Sequence, residues 1–438
     1  MVSRVTAPAS TPTVRALVRG HRDLRLLLAA GLISMTGDWV LSVGLVYTVY
    51  DVTGSTLASA GALLAAFVPQ VVVGLFAGVF VDRWSRARTM VVGNLLLAVG
   101  LLPLLLVGDS SRIWIVYAVL AATSVVEVFV ATADSAMLPL LVPEEGRLPA
   151  NALNGQVAQV ARLVGGSVGG VVAATGGLGA VVLVDGATFV LAALLVHLIR
   201  TSTRAAVAEE TVEDHEVSGR LATIVTEWRD GARTVARSRA LKVVLAFTLI
   251  TSVGEGIMGT LFTPYVKDVL EGNAATLGTI SSSQAVGGIL GGFVAAAAAR
   301  HWTPRVLFGW GSVLFGLVDL AIFLYPTLYV AAWPAVMGMV LVGFPGAVVV
   351  AARTTLMQDH STDAQRGRIF ALLFGVSSLS LGIGATCAGF LGESVGIIPI
   401  LALQGGGYVV AGLMVLAVLT AAPAEAPEQL SPEPAPRR

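Results

Sequence analysis

Four ionisable residues lie near the middle of long apolar segments, where a charge is costly: Asp38, Glu127, Arg162 and Glu255. Each costs roughly 2.5–3.5 kcal/mol at the centre of a bilayer on insertion scales. Three ionised acids beside one base would leave a net negative charge that a low-dielectric site resists. At least one acid should therefore be protonated part of the time, or be neutralised by a cationic ligand. A fixed ion pair such as Glu127 with Arg162 is the alternative for one acid.

Polar residues accompany these four at helical spacing. They define one face on each of four segments: Ser34, Asp38 and Ser42; Glu127 and Asp134; Asn154, Gln159 and Arg162; and Thr248, Thr251 and Glu255. Such a face must point away from lipid, so we expect each of the four faces to be directed into the protein interior. For Asp185, Asp319 and Arg353, nearer the segment ends, we expect a structural or gating role.

The segments that position these residues are long enough to cross a membrane as helices, because about 20 residues span a ~30 Å hydrocarbon core. The composition agrees, with 55% hydrophobic and only 12% charged residues. The runs are solidly apolar rather than alternating, which disfavours strands. We number the predicted spans 1 to 12: 26–50, 57–81, 89–107, 113–138, 151–175, 178–199, 242–266, 275–299, 305–325, 328–352, 368–391 and 396–420.

The distribution of basic residues predicts the orientation. With both termini in the cytoplasm, all but three of the 27 Lys and Arg residues lie on the inner side: Arg112 and Lys267 are outside and Arg162 is within a span. This asymmetry is what the positive-inside rule requires. We therefore expect an all-α polytopic protein of twelve transmembrane helices in the lipid bilayer of a cell membrane, with cytoplasmic N- and C-termini. The Ala-, Val-, Gly- and Arg-rich composition points to a bacterium.

The two halves of the chain repeat each other. A shift of 217 residues superposes Asp51 on Asp268 and Gly74 on Gly291, and a shift of 219 superposes Gly170 on Gly389. Such a repeat predicts two pseudo-symmetric six-helix bundles around a midplane site. The predicted organisation is a cytoplasmic tail, a bundle, a cytoplasmic linker with an amphipathic helix, a second bundle and a disordered tail: 1–25, 26–199, 200–241, 242–420 and 421–438.

The loop between spans 2 and 3 contains Gly78, Asp82, Arg83, Arg86 and Arg88. It resembles the cytoplasmic G-x-x-x-D-R-x-G-R-[RK] signature of the major facilitator superfamily, with serine at the second glycine position and alanine at the last basic one. The resemblance implies a central cavity for substrate and protons, lined by spans 1, 4, 7 and 10, and a gate latch that stabilises the outward-open state. We expect the polar faces defined above, with Asn154 and Gln159 of span 5, to contribute to that cavity. The carboxylate lies near a helix N-terminus of the other half, where anions are stabilised. The arginines pair with an acid at the inner end of span 4, here Asp134, and Arg353 of span 10 is grouped with this gate. A simple basic loop is the alternative.

Two further stretches sharpen the resemblance. Residues 37–39 (Gly-Asp-Trp), 49–55 and Pro69 are similar to the twelve-span drug–proton antiporter branch of the superfamily, which includes macrolide, multidrug and siderophore exporters. In span 5, four glycines are similar to the G-P-x-x-G-G core of an exporter motif, with glycine where the proline belongs: Gly165, Gly166, Gly169 and Gly170. They indicate either an exporter hinge or close helix packing.

Other classes of protein find no support. The only cysteine is Cys387, the five histidines do not cluster with carboxylates, and no Walker or catalytic-triad pattern occurs in a usable context. The formal charge of zero disfavours nucleic acid as a partner. We expect no enzyme activity, no cofactor and no metal, and a monomer driven by the proton motive force. Together with the resemblance, the midplane acids predict proton-coupled efflux of lipophilic or cationic small molecules. The alternatives are a siderophore or metabolite exporter, an uptake carrier of the same fold, and a non-transporting receptor.

Overall fold

A computed structural model describes residues 14–201 and 217–419; within these, the side chains of residues 14–16, 75–80, 82, 83, 148, 217–225, 227, 363 and 364 are not described. The described chain is helical, and no strand occurs in it. The long helices are Arg22–Thr53, Thr56–Arg83, Arg86–Gly100, Ile113–Met137, Arg147–His197, Arg239–Pro264, Ala274–Ala298, Pro304–Leu324, Trp333–Asp359, Asp363–Val395 and Ile397–Leu419. Two further helices, Val14–Gly20 and Val217–Arg237, precede spans 1 and 7.

The helix Arg147–His197 contains two spans. Its 51 residues would measure about 77 Å at 1.5 Å per residue, more than twice a hydrocarbon core. Gly177 interrupts it with φ 63° and ψ −166°, a conformation open to glycine. The two parts pass span 1 in opposite directions, as four contacts show: Gly165 with Thr36, Gly169 with Val40, Thr188 with Gly37, and Val181 with Gly44. The predicted twelve crossings are therefore present, with residues 147–176 as span 5 and 178–197 as span 6.

Several connections between spans are short because the ends of the helices are capped locally. Gly54 ends span 1 in the left-handed region, with φ 62°. Ser55 then caps span 2 by accepting a hydrogen bond from the Ala58 amide. At the corresponding turn of the second half, Asn273 and Thr276 form a capping box that begins span 8.

The spans form two six-helix bundles related by the sequence repeat. In the first bundle, span 1 packs on spans 5 and 6, and span 2 on span 4; in the second, span 7 packs on spans 11 and 12, and span 8 on span 10. Contact between the bundles runs through spans 5 and 8 and through spans 2 and 11. The repeat relates these two seams to each other, so the bundles meet as a pseudo-symmetric pair.

One end of the molecule, which we name the closed end, carries the turns at Gly54 and Glu271 and holds the bundles together. The Tyr50 hydroxyl hydrogen-bonds to Asp268, and Lys267 lies 2.6 Å from Asp51. Four more residues of spans 2 and 11 add to it: Ser55 donates to Glu393 at 3.0 Å and Thr56 to the Gly389 carbonyl at 2.8 Å. In the predicted orientation this end faces outside, so the arrangement is inward-facing.

Towards the opposite end, spans 2 and 11 separate around an apolar cavity of about 650 Å³. Phe67 and Val71 of span 2 face Phe374 of span 11 across it, and the exposed Cys387 also lines it. The seam between spans 2 and 11 is therefore tight near Thr56 and open to apolar groups further along.

The helix Val217–Arg237 packs against the second bundle. Trp228 lies on Gly375 of span 11, where a Cβ would overlap the indole ring. Arg368 of span 11 lies 3.6 Å from Asp230. The sequence predicts an amphipathic helix here. Apolar residues of its described part pack against the protein, and not against lipid alone.

Of the predicted N-terminal tail 1–25, residues 1–13 lie outside the described residues, while Val14–Gly20 is helical and the helix of span 1 already begins at Arg22. Residues 202–216 of the predicted linker and the whole predicted C-terminal tail 421–438 also lie outside the described residues.

Candidate transport cavity

A cavity of about 310 Å³ occupies the half of the first bundle that lies away from the closed end. It brings together five residues predicted from the sequence: Ser34 and Asp38 of span 1, Glu127 and Asp134 of span 4, and Asn154 of span 5. Its described lining includes three acids and no Lys, Arg or His. Such a lining favours protons or a cationic group over an anion.

The acids are spread around the cavity rather than gathered at one point. Asp38, Glu127 and Asp134 are each half-buried. Among the described side chains, no group of three His, Cys, Asp or Glu residues is close enough to hold a metal ion. The geometry therefore suits separate protonations, or an organic cation that contacts the acids in turn.

Glu255 lies outside this cavity, on span 7 of the second bundle. Its side chain is exposed in the space between the bundles and accepts a hydrogen bond of 2.6 Å from the Tyr408 hydroxyl of span 12. Arg162 and Arg353 attract it electrostatically. Glu255 thus has two cationic neighbours. Among the described side chains, no cationic one interacts electrostatically with four acids of the first bundle: Asp38, Glu127, Asp134 and Asp185.

Arg162 reaches across to the second bundle. Its guanidinium donates a hydrogen bond to Gln284 of span 8 and lies 5.2 Å from the centroid of the Trp39 ring, in a cation–π contact. The alternative of a fixed Glu127–Arg162 pair is therefore wrong in this conformation, because the arginine turns away from span 4. Gln159, also predicted for the cavity, is half-buried but is not among its lining residues.

The span 5 glycines serve two packing faces. A Cβ at Gly165 or Gly169 would run into the span 1 backbone, and one at Gly170 would lie 2.6 Å from the Ala274 carbonyl of span 8. A Cβ at Gly166 would lie 3.2 Å from Ser282. The helix remains regular through all four, its non-helical residue being Gly177. In this conformation the motif therefore acts by close helix packing.

The predicted gate motif is described only in part. The side chains of Asp82 and Arg83 and residue Gly78 lie outside the described side chains, although the helical backbone runs to Arg83. Arg86 begins span 3 and Arg88 lines a surface groove. Asp134 interacts with Asn154, and in the described part of the chain no ion pair joins it to Arg86 or Arg88. The latch is expected to form in the outward-open state. This molecule is closed at the end opposite the motif, so we do not expect the latch contacts in it.

Two six-helix bundles, the first of which contains an acidic cavity, are the architecture of a membrane transporter. The family model of the Major Facilitator Superfamily matches residues 27–253 and 244–438, and the chain belongs to this family. It is a multi-pass protein of the cell membrane that carries small molecules, and the family and structural neighbours are transporters rather than enzymes.

Relatives give further context. An "Uncharacterized MFS-type transporter" of Mycobacterium tuberculosis is 28% identical over 94% of both chains. "Macrolide efflux protein A" of Streptococcus pyogenes is 23% identical, over 83% of this chain and 88% of its own. "Multidrug efflux pump Tap" of Mycolicibacterium fortuitum is 24% identical over 85% of this chain and 90% of its own.

Solved structures share the fold. A peptide transporter POT in complex with alafosfalin aligns with a TM-score of 0.72 at 14% identity, over 91% of this chain and 94% of that one. A bacterial homologue of the human lysosomal transporter Spinster, titled as inward-facing and unoccupied, aligns with a TM-score of 0.63 at 14% identity, over 91% and 96%. At this identity the likeness shows the fold alone.

Proposed function

We propose that this transporter exports lipophilic or cationic small molecules, drugs and antibiotics among them, in exchange for protons. The observation that carries the proposal is the cavity of the first bundle, where three acids stand without a basic lining residue in the described part of the chain. Acids in such a site are stable when protonated or when paired with a cation. Competition between proton and substrate for one site is the basis of antiport.

Alternating access supplies the cycle. The closed end is held by few polar contacts, such as Lys267 with Asp51, and exposed ion pairs of this kind contribute only about 0–1 kcal/mol. In the inward-facing state, substrate enters the acidic cavity and displaces a proton. In the outward-facing state, the cavity opens to the other side, and protonation of Asp38, Glu127 or Glu255 releases the substrate. The proton motive force drives this cycle in a monomer without a cofactor, a metal or nucleic acid. The macrolide and multidrug exporters among the relatives support the substrate class.

The test uses everted membrane vesicles with an imposed proton gradient that is reported by a pH-sensitive dye. Macrolides, tetracyclines, lipophilic cations and siderophores are added in turn. We expect one class to collapse the gradient, and we expect Asp38→Asn to abolish that response. Asp109→Asn is the matched control, because it makes the same change in an exposed loop at the closed end.

Each outcome has a distinct meaning. A response that persists in Asp38→Asn keeps antiport and moves the proton site to Glu127 or Glu255. A response to siderophores alone makes the protein a siderophore exporter. No response to any compound, with the protein shown to be folded and inserted, refutes proton-coupled export of these substrates.

A further inference from the structure

The sequence repeat relates the two midplane acids of spans 1 and 7. A shift of 217 residues superposes Gly37-Asp38 on Gly254-Glu255, and a shift of 219 superposes Asp185 of span 6 on Gln404 of span 12. In both bundles the glycine before the acid, Gly37 or Gly254, lets the helix backbone approach the residue of the last span, Asp185 or Gln404. A Cβ at Gly37 would overlap an Asp185 carboxylate oxygen, and a Cβ at Gly254 would lie 2.9 Å from Gln404 Cγ. The two bundles therefore share one architecture around the acid.

In the second bundle, span 12 gives a hydrogen-bond donor to each nearby carboxyl group. Gln404 Nε2 donates to Asp319 at 2.8 Å, and the Tyr408 hydroxyl donates to Glu255 at 2.6 Å. Both donors come from side chains that are almost fully buried. Asp319 and Glu255 thus each accept a hydrogen bond from a protein side chain.

In the first bundle, the equivalent positions supply no such donors. Asp185, an acceptor when ionised, stands where the second bundle has an amide, and Phe189 stands where it has a tyrosine. Asp185 is fully buried. Its Oδ1 lies 3.2 Å from the Thr188 hydroxyl, which donates also to the Asp185 carbonyl, and its Oδ2 is without a partner among the described residues.

The side-chain oxygen of Asn94, on span 3 of the same bundle, also has no hydrogen-bond donor among the described residues. The Asn94 Nδ2 donates to the Met90 carbonyl at 2.7 Å, while the buried Oδ1, in the wall of the acidic cavity, has no partner in the described part of the chain. Buried acceptors of this kind are nearly always satisfied in folded proteins. The buried acceptor atoms Asp185 Oδ2 and Asn94 Oδ1, however, have no hydrogen-bond donor among the described residues. A protonated carboxyl group carries an O–H that can donate.

In the described part of the chain, the charged groups that interact with Asp185 are acids. Asp185 and Asp38 of span 1 interact electrostatically, and so do Asp185 and Glu127 of span 4. Asp185 also packs directly against Gly37, the residue before Asp38, and the neutral Asn94 of span 3 lines the cavity beside Asp38 and Glu127. The base within the spans of this bundle, Arg162, donates to Gln284 of span 8 and lies over the Trp39 ring. Two ionised carboxylates that interact in this apolar setting repel each other, which favours a bound proton or a nearby cation.

We propose that Asp38 and Asp185 form a carboxyl pair that shares one proton, which makes Asp185 a proton-binding residue of this transporter. The proton enters from the cavity at Asp38, which is half-exposed there, and its uptake changes the charge of the pair from −2 to −1. On release it returns to the cavity by the same route. The proposal rests on the proposed function and deepens it, since it names a second residue for the proton that drives export.

The test is infrared difference spectroscopy on the full-length protein in lipid, without substrate and without a gradient. The C=O stretch of a protonated carboxyl group is followed as the pH is changed, and exchange into D₂O identifies it. We expect Asp185→Asn to remove about one protonated carboxyl group per molecule near neutral pH, because the amide then donates to Asp38 as Gln404 donates to Asp319. Asp185→Glu should retain the band, and the exposed control Asp109→Asn should leave it unchanged.

Asp38→Asn examines the same pair from the cavity side and guards against misfolding of the buried variant. A carboxyl band of wild-type intensity in both Asp185→Asn and Asp38→Asn would overturn the proposal, as would its absence from the wild-type protein at every pH. Because this readout needs no transport, it separates the two hypotheses. A band lost in the variants, in a protein that shows no proton-driven export, would keep the pair and refute the proposed function.

Discussion

Gly278 of span 8 presses directly on span 5, and its replacement by alanine tests how the closed end is held together. A Cβ at this position would overlap the Gly166 carbonyl oxygen and lie 2.8 Å from Gly170 Cα. These are backbone atoms, which cannot rotate away. Overpacking of this kind costs typically ~1–3 kcal/mol. We expect the contact between spans 5 and 8 to loosen when the closed end opens. The cost then falls on the closed arrangement, and the ratio of closed to open molecules should fall by about 5-fold to 150-fold.

The assay is a distance measurement between spin labels at the closed end. Ser110, between spans 3 and 4, and the fully exposed Leu328, between spans 9 and 10, are labelled in a Cys387→Ser background. Gly278→Ala should add a population with a longer distance. Gly288→Ala is the matched control, since it makes the same change in the same helix at a position with open space around it. If Gly278→Ala and Gly288→Ala gave the same distance distribution, the spans 5 and 8 contact would not be what closes this end.

Three further predictions concern the second bundle. Gln404→Leu removes the amide that donates to Asp319 at 2.8 Å and should lower the free energy of unfolding by about 1–3 kcal/mol. The measurement is thermal stability in detergent, and Leu403→Ala on the lipid-exposed face is the control. Tyr408→Phe and Glu255→Gln should show a coupling of about 1.5–3 kcal/mol in a double-mutant cycle on stability, because the phenol donates to a carboxylate; additive effects would contradict this. Gly375→Ala should displace Trp228 and increase amide hydrogen exchange in residues 228–237, whereas Gly367→Ala, which has open space, should not.

Hydropathy and spacing were sufficient to predict much of this molecule. Each crossing is long and apolar enough to be recognised by itself, and the polar face of span 4 correctly places Glu127 and Asp134 together. Helical periodicity determines which residues share a face. A polar face is unfavourable in contact with lipid, so it must be directed into the protein. Periodicity therefore predicts which residues share a face, but not which faces meet, since Glu255 of span 7 and Gln159 of span 5 are not among the residues that line the acidic cavity.

Contacts across the bundle interface could not be predicted in this way. Arg162 lies on the expected polar face of span 5, but its long side chain selects Gln284 of span 8, which no periodicity reveals. The direction in which the molecule is closed is equally hidden, because a transporter must be nearly balanced between its states. The partners of Asp185 and Gln404 could have been found, since the shift of 219 residues that superposes Gly186 on Gly405 also superposes these two.

The position of Cys387 gives the molecule a native chemical reporter. It is the only thiol in the chain, and it is exposed in the apolar cavity between spans 2 and 11. A membrane-soluble thiol reagent would react there at a rate set by the width of that seam, without any engineered cysteine. Labelling kinetics of the unmodified protein, followed by mass spectrometry, would thus report seam opening during the transport cycle in native membranes.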